Sequence, residues 1–171
     1  IEATGYAPSF QAYNVRTRVT KLVGVIRPKL SSESCAREVE GISQVLSEQG
    51  YQLLLVNSAN DPKKEVEYLE LFRSNRVDGV IFLASVFTPL NDAVLKKMRV
   101  PVVIVGQEYK GANCVCHDDY KAAYIAETLM LDKDRKKPTF IGDTEQDTAA
   151  GQARKDGYLP AISEYGYNID K

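Results

Sequence analysis

Four short apolar runs constrain what this chain can fold into. They are Leu22-Val23-Gly24-Val25-Ile26, Leu53-Leu54-Leu55-Val56, Val80-Ile81-Phe82-Leu83 and Val102-Val103-Ile104-Val105. Each is too short for a helix and lacks the apolar/polar alternation of a half-exposed strand. They read as strands buried on both faces. The stretches between them have helical spacing. Residues 33–49 carry Cys35, Ala36, Val39, Ile42, Val45 and Leu46 on one stripe, and Gly50 stands where a helix C-cap glycine belongs. Asp61 and Pro62 form a helix start, as N-cap and first helical residue, and Val66, Leu69 and Phe72 give that helix its inner stripe. Leu90, Val94 and Met98 mark a third helix. Strand and helix thus alternate, which implies right-handed crossovers and an α/β fold with a parallel sheet covered by helices on both faces.

Beyond the fourth run the pattern continues. Cys114-Val115-Cys116 reads as a short strand. Residues 119–131 read as an amphipathic helix with Ala122, Ile125, Ala126 and Leu129 inward and Asp118 as a cap. A charged loop over 132–138 leads to Thr139-Phe140-Ile141-Gly142, the expected start of a new strand. The last helix is expected from about Asp147, with Ala150, Ala153, Gly157, Tyr158, Ala161 and Ile162 inward and a kink or break at Pro160. One strand and two helices make a poor domain, so this second series is expected to continue past residue 171. At the other end, Thr4-Gly5-Tyr6-Ala7-Pro8 is turn-like and Ser9 to Val15 could form a short helix capped by Ser9. Too few apolar residues follow for a core, so residues 1–20 read as a linker.

Composition narrows the function classes. A net charge of −1 supplies no global field toward nucleic acid or anionic membrane, which argues against this stretch alone being a strong DNA binder. Arg16, Arg18, Lys21, Arg27 and Lys29 cluster near the start and read equally as an anion-facing segment or a solvated linker. No apolar run is long enough for a bilayer, and the start has no signal-peptide pattern. Three cysteines, an odd number, do not make a disulfide framework, and cytoplasmic residence is the expectation.

In an open α/β sheet, ligands bind beyond the carboxyl ends of the strands. Here those segments are Arg27 to Ser34, Asn57 to Asn60, Ala84 to Thr88 and Gly106 to Gly111, and they place Ser34 and Ser85 among the candidate contacts. Hydroxyls and amides with few charges suit a neutral polyhydroxy ligand, although loops are polar in most proteins. No catalytic constellation stands out. The single histidine, His117, clusters with Cys114, Cys116 and Asp118. Cys-x-Cys on a strand turns both thiols to one face and His117 to the other, and zinc sites draw ligands from wider spacings. Packed cysteines are therefore the favoured reading, with no metal. There is no Gly-x-Ser-x-Gly elbow and no phosphate-cradling glycine motif. Asp118-Asp119 could serve acid–base chemistry, but adjacent acids in a loop are more often solvated or capping. The chain reads as a binding protein without cofactor rather than an enzyme.

Taken in order, these residues resemble the LacI/GalR family of transcriptional repressors. Gly5-Tyr6-Ala7-Pro8-Ser9 is similar to the junction ending the family's helix-turn-helix headpiece, and Ala12 and Val15 fall where its hinge helix has Ala and Leu. Thr20 to Ile26 resembles the start of the effector domain. Val77-Asp78-Gly79-Val80-Ile81 and Val100-Pro101-Val102-Val103 resemble its third and fourth strands. Asp118-Asp119 stands where Asp-Asn commonly precedes the crossover helix, and Arg154-Lys155-Asp156-Gly157-Tyr158 is similar to its Arg-x-x-Gly-aromatic helix. The span around Gly106-Gln107 and Val115 to Asp119 looks closest to repressors of disaccharide operons, such as those for sucrose and trehalose.

The resemblance implies a periplasmic-binding-protein-like fold with an effector cleft between two subdomains. Residues 1–19 would be the headpiece end and hinge, 20–117 the N-terminal subdomain and 118–171 the start of a C-terminal one. It implies effector contacts at Lys29, Ser31, Ser32, Gln107 and Arg154, the last a guanidinium fork suited to paired hydroxyls or a carboxylate. It implies DNA contacts at hinge residues Ser9, Ala12 and Val15, a homodimer, and a disaccharide or its phosphate as effector. Gln107 stands where a trehalose-phosphate sensor would carry arginine, which favours an unphosphorylated ligand, while Lys29 keeps the phosphate open. Some residues depart from the pattern. Tyr13 and Val15 replace small polar or basic residues and leucine, and Val15 offers less of a minor-groove wedge. Pro160 is unusual in its helix. The implied parent protein is a switch in which sugar changes operator affinity. A transporter's solute-binding protein of the same fold is the alternative.

Overall fold

The computed structural model describes residues 19–84, 86–133 and 139–167. The expected hinge helix with Ser9, Ala12 and Val15, and the loop residue Ser85, lie outside the described residues. The elements run β1 (Leu22–Arg27), α1 (Glu33–Glu48), β2 (Gln52–Asn57), α2 (Pro62–Ser74), β3 (Gly79–Leu83), α3 (Pro89–Leu95), β4 (Val102–Val105), β5 (Asn113–Val115), α4 (Asp119–Asp132), a π-helical turn (Thr148–Ala153) and α5 (Arg154–Glu164). The sheet order is β2-β1-β3-β4-β5, with β1 parallel to both β2 and β3. All four apolar runs are strands, and the α/β alternation is as the sequence implies. The chain divides into two compact units, one running through Leu83 and including Thr88–Val103, the other comprising Ala84–Phe87 and the chain from Ile104.

In the first unit the core forms around β1. Val25, Ile26, Leu69, Phe72, Val80 and Phe82 are all but sealed from solvent. Gly24 makes this possible, because a Cβ there would lie 2.4 Å from the Phe72 ring. Helix ends are set by the chemistry expected of them. Asp61 accepts from the Lys63 N–H at 2.9 Å, with Pro62 in the first turn. Gly50 adopts φ +72° after α1, the Gly50 N–H donates to the Ser47 carbonyl and the Tyr51 N–H to the Leu46 carbonyl. That pair of bonds is a Schellman stop.

Three expectations about burial fail in this unit. Of the α1 stripe only Cys35 is buried, and Val45 is 61% exposed. The apolar residues of β2 are half-buried, because β2 is the outermost strand. Arg27, counted with the solvated cluster, is buried instead: its Nε donates to Cys35 Sγ at 3.1 Å and its guanidinium pairs with Glu38.

A buried acid also lies here. Glu65 accepts from Asn91 Nδ2 at 3.0 Å and from the Ser58 hydroxyl at 3.3 Å, and Asn91 completes a capping box with Thr88 at the start of α3. Burial pushes the Glu65 carboxyl above its usual value near 4.5, against the pull of those two bonds.

In the second unit α4 packs along α5. Gly157 allows this approach, since a Cβ there would lie 2.1 Å from the Tyr120 carbonyl oxygen. The expected inner stripe of α4 is the outer one. Ala122, Ile125, Ala126 and Leu129 are exposed, while Asp119, Glu127 and Leu131 are buried. Thr139–Gly142 is not a strand, and Ile141 is 93% exposed. A strand needs a neighbour to receive its N–H and C=O groups, and none lies beside this segment among the described residues. For the same reason no sheet covers the α4 stripe. Pro160 does not break α5, which continues to Glu164.

A carboxyl whose folded-state pKa is raised costs stability once it ionises, so stability falls as pH rises through that folded value. Glu65→Gln keeps an acceptor for Asn91 and removes the charge. The variant should equal or exceed the parent in thermal stability at neutral pH and lose that advantage in acid, read as Tm against pH.

Candidate functional site

The second unit holds a cavity of about 520 Å³, within the range of small-molecule sites. Three segments build it. Strand β4 ends in Gly106, at φ +88°, which turns the chain so that Gln107 is buried at the wall. The stretch from Cys116 to Asp119 supplies a second wall and starts α4, where Asp118 accepts from the Lys121 N–H at 3.0 Å as expected of a cap. The π-helical turn supplies the third through Thr148, Ala149 and Ala153.

A polar clasp joins the first and third walls. Gln107 Nε2 donates to Asp147 Oδ1 at 2.7 Å, and the Thr148 hydroxyl donates to Gln107 Oε1 at 2.5 Å. Asp147 is itself buried, and the same oxygen accepts from the Ala149 and Ala150 N–H groups at 3.1 and 2.8 Å. It is therefore the N-cap of the π-turn. On the other side Arg154 Nε donates to Asp119 Oδ1 at 2.7 Å, and Asp119 is buried while Arg154 is half exposed. Phe87 stacks on Tyr109 with ring centroids 5.1 Å apart, behind the loop that follows Gln107.

Glu108, Asp118 and Asp119 line the cavity, with no lysine or arginine among its lining residues. Tyr120 adds an aromatic face that is 46% exposed. Such a wall offers acceptors and a flat apolar surface, the pairing that suits hydroxyls and the C–H face of a sugar-like ring. Burial raises the pKa of the Cys116 thiol, as do the charges of Cys114, Glu108 and Asp119, so it stays protonated at neutral pH. No group of three or more histidine, cysteine or carboxylate side chains is arranged to hold a metal ion among the described residues.

Of the effector contacts the resemblance implies, Gln107 lines this cavity and Arg154 is tied to its wall through Asp119; Cys116, His117, Asp118 and Asp119, singled out for other chemistry, line it too. Lys29, Ser31 and Ser32 lie in the first unit on the segment between β1 and α1, and Ser34 in the first turn of α1. There Ser32 caps α1, accepting from the Cys35 N–H at 3.2 Å, and Lys29, Ser31 and Ser34 are exposed. Asp147, Thr148, Glu108 and Tyr120 were missed. The sequence marks Asp147 as the start of the last helix, which it is; that it also reaches Gln107 carries no local signal.

The sequence profile described as periplasmic binding proteins and the sugar-binding domain of the LacI family matches residues 20–171. The chain belongs to this family. Among LacI-family relatives, the sucrose operon repressor of Staphylococcus xylosus is 32% identical over 96% of this chain and 52% of its own length. Catabolite control protein A of Priestia megaterium is 30% identical over 99% of this chain and 52% of its own. The crystal structure of the transcription regulator CcpA of Lactococcus lactis superposes with a TM-score of 0.79 at 32% identity, covering 88% of this chain and 56% of that one. The chain spans about half the length of the curated relatives it matches. These relatives are transcriptional regulators. Among the described residues no helix is long and apolar enough to cross a membrane.

Two substitutions test the frame of this site. Asp147→Ala should destabilise by about 0.5–2 kcal/mol, the usual cost of a lost N-cap, whereas Asp147→Asn, which keeps an acceptor, should lose less by chemical denaturation. Gly157→Ala should destabilise more than either in the same denaturation, because a backbone carbonyl cannot swing away as a side chain can.

Proposed function

We infer that this chain is the effector-sensing region of a sugar-responsive transcriptional repressor. The observation that carries this reading is the acid- and amide-lined cavity of the second unit, in a LacI-family chain whose relatives include a sucrose operon repressor. The effector is a neutral sugar, a disaccharide in preference to its phosphate. The cavity wall has three carboxylates, and Arg154 is already paired with Asp119. A phosphate there would meet those acids and a guanidinium already neutralised, whereas sugar hydroxyls can bond to both. Gln107, held by Asp147 and Thr148, orients the wall, and Arg154 grips the sugar from beside Asp119. Lys29, Ser31, Ser32 and Ser34, after β1, and Ser85, after β3, are effector contacts we propose outside that cavity. Residues 1–19 are the end of a headpiece and its hinge, 20–117 the N-terminal subdomain and 118–171 the beginning of the C-terminal one. Ser9, Ala12 and Val15 act in the hinge on operator DNA.

The regulator works as a cytoplasmic homodimer and not as an enzyme. In support of a dimer, Val45 on α1 and Leu71 on α2 stand exposed, and β2 lies at the sheet edge with its leucines half covered. Sugar binding shifts the preference of the hinge for operator DNA by a coupling free energy of about 1–3 kcal/mol, the usual allosteric range. A solute-binding protein of the same family would bind sugar equally. Residues preceding Ile1 separate the two: a helix-turn-helix marks the repressor and a secretion signal or lipid anchor the transporter component.

A thermal-shift panel of mono- and disaccharides, each with and without phosphate, tests the reading. A neutral disaccharide at a hundred times its dissociation constant should add about 2.7 kcal/mol of stability, and in the full-length protein it should change operator affinity. A response confined to the phosphorylated sugars would overturn the neutral effector, and sugar binding without any change in operator affinity would overturn the switch.

A further inference from the structure

The first unit carries a second concavity, of about 910 Å³ and opposite chemistry. It is lined by the end of α2, which contributes Arg73, and by the two turns that lead into β3 and β4, which contribute Arg76, Lys96, Lys97 and Arg99. Two of these cations are neutralised nearby, Arg73 by Glu70 at 2.5 Å and Lys96 by Asp92 at 2.6 Å. Arg76, Lys97 and Arg99 are exposed and have no acidic partner among the described residues. Asp78 is the sole carboxylate in the lining, and its two oxygens are occupied by backbone donors. The Thr20 N–H reaches Oδ1 at 3.0 Å and the Lys21 N–H reaches Oδ2 at 2.7 Å. A chain of net charge −1 therefore concentrates unpaired positive charge in one groove.

The position of the groove says what would meet it. Asp78 and Arg76 anchor the entry to β1, since the Thr20 hydroxyl also donates to the Arg76 carbonyl at 3.0 Å. Residues 1–18 thus join the described chain beside this groove. β1 and β3 are parallel, so their amino ends share one end of the sheet. In a LacI-family regulator the segment before β1 is the one that leads to DNA. Resting on the repressor reading above, we propose that this groove takes phosphates of the DNA backbone, so that the effector-binding core itself holds the duplex through Arg76, Lys97 and Arg99. Such contacts carry affinity and salt dependence and read no base sequence.

The test uses the full-length protein and the double substitution Lys97→Gln with Arg99→Gln. Binding to an operator duplex and to a short random-sequence duplex is followed across a salt series. Each lost phosphate contact should make the slope of log Kobs against log salt shallower by about 0.9, so the double variant should lose about two such steps on both duplexes. The reversed-identity variant, Lys97→Arg with Arg99→Lys, should keep the parental slope. Unchanged Tm and an unchanged sugar-induced thermal shift establish that the fold is intact. Parental DNA binding with a slope that the double substitution leaves unaltered overturns this inference and leaves the repressor reading standing. A parent that binds no DNA overturns that reading and this one with it. Inorganic phosphate supplies a further arm: if it stabilises the parent and not the double variant while the DNA slopes coincide, the groove is a small-anion site and the proposal is wrong.

Discussion

The packing of Phe72 over Gly24 is the contact on which the first unit depends. A side chain on β1 at that position would occupy the space of the aromatic ring. Without it, α2 rides close to the central strand, and Leu69 and Phe72 are sealed against Val25, Ile26, Val80 and Phe82. The two ends of α2 carry the polar features of this unit. At its start Glu65 reaches the Ser58 and Asn91 side chains, and at its end the chain turns through Arg76, φ +52°, into Asp78. The buried acid and the cationic turn are thus two ends of one helix held in place by a missing Cβ.

The second unit is organised on a different principle. Its interior mixes apolar Ile104, Leu131, Ala161 and Ile162 with buried Gln107, Asp119, Glu127 and Asp147, and directed bonds join its elements. Asp147 gathers two backbone N–H groups and the Gln107 amide on one oxygen, and Asp119 takes Arg154. Buried ionic groups of this kind need every partner, because removal of one leaves a desolvated charge behind. Glu127 shows the cost from the other side. Its Oε1 is buried without a hydrogen-bond partner, burial raises its pKa, and its charge in turn helps to raise that of the Tyr158 hydroxyl.

The strands, the helix caps and the glycine stop at Gly50 were legible because each depends on residues close in sequence. An apolar run of four or five, an Asp-Pro step and a Gly after a helical stripe carry their own geometry. What failed depends on partners distant in the chain. Val45, Ile125 and Leu129 have helical spacing, but spacing does not say whether anything lies against the stripe. Thr139–Gly142 has strand composition without a neighbouring strand. Arg27 looked like one of a solvated basic cluster, and only the approach of Cys35 and Glu38 from α1 buries it. Within the candidate site, Gln107 and Arg154 were reachable through a family resemblance, whereas Asp147 and Thr148 meet Gln107 across some forty positions of sequence.

The π-helical turn before α5 sets a phase relationship. A π-turn accommodates one residue more than the α-helical path between the same points. In Thr148–Ala153 that extra residue is absorbed locally, so α5 leaves the turn in the phase that puts Gly157 against the Tyr120 carbonyl and Arg154 beside Asp119. Deleting one residue here would return the stretch to ordinary α-helical winding without turning α5 away from α4. Its effect would fall on the wall itself, because Thr148, Ala149 and Ala153 are the residues the turn presents to the cavity. The stretch is therefore a place where a change of length reaches the cavity while the helix packing behind it is kept.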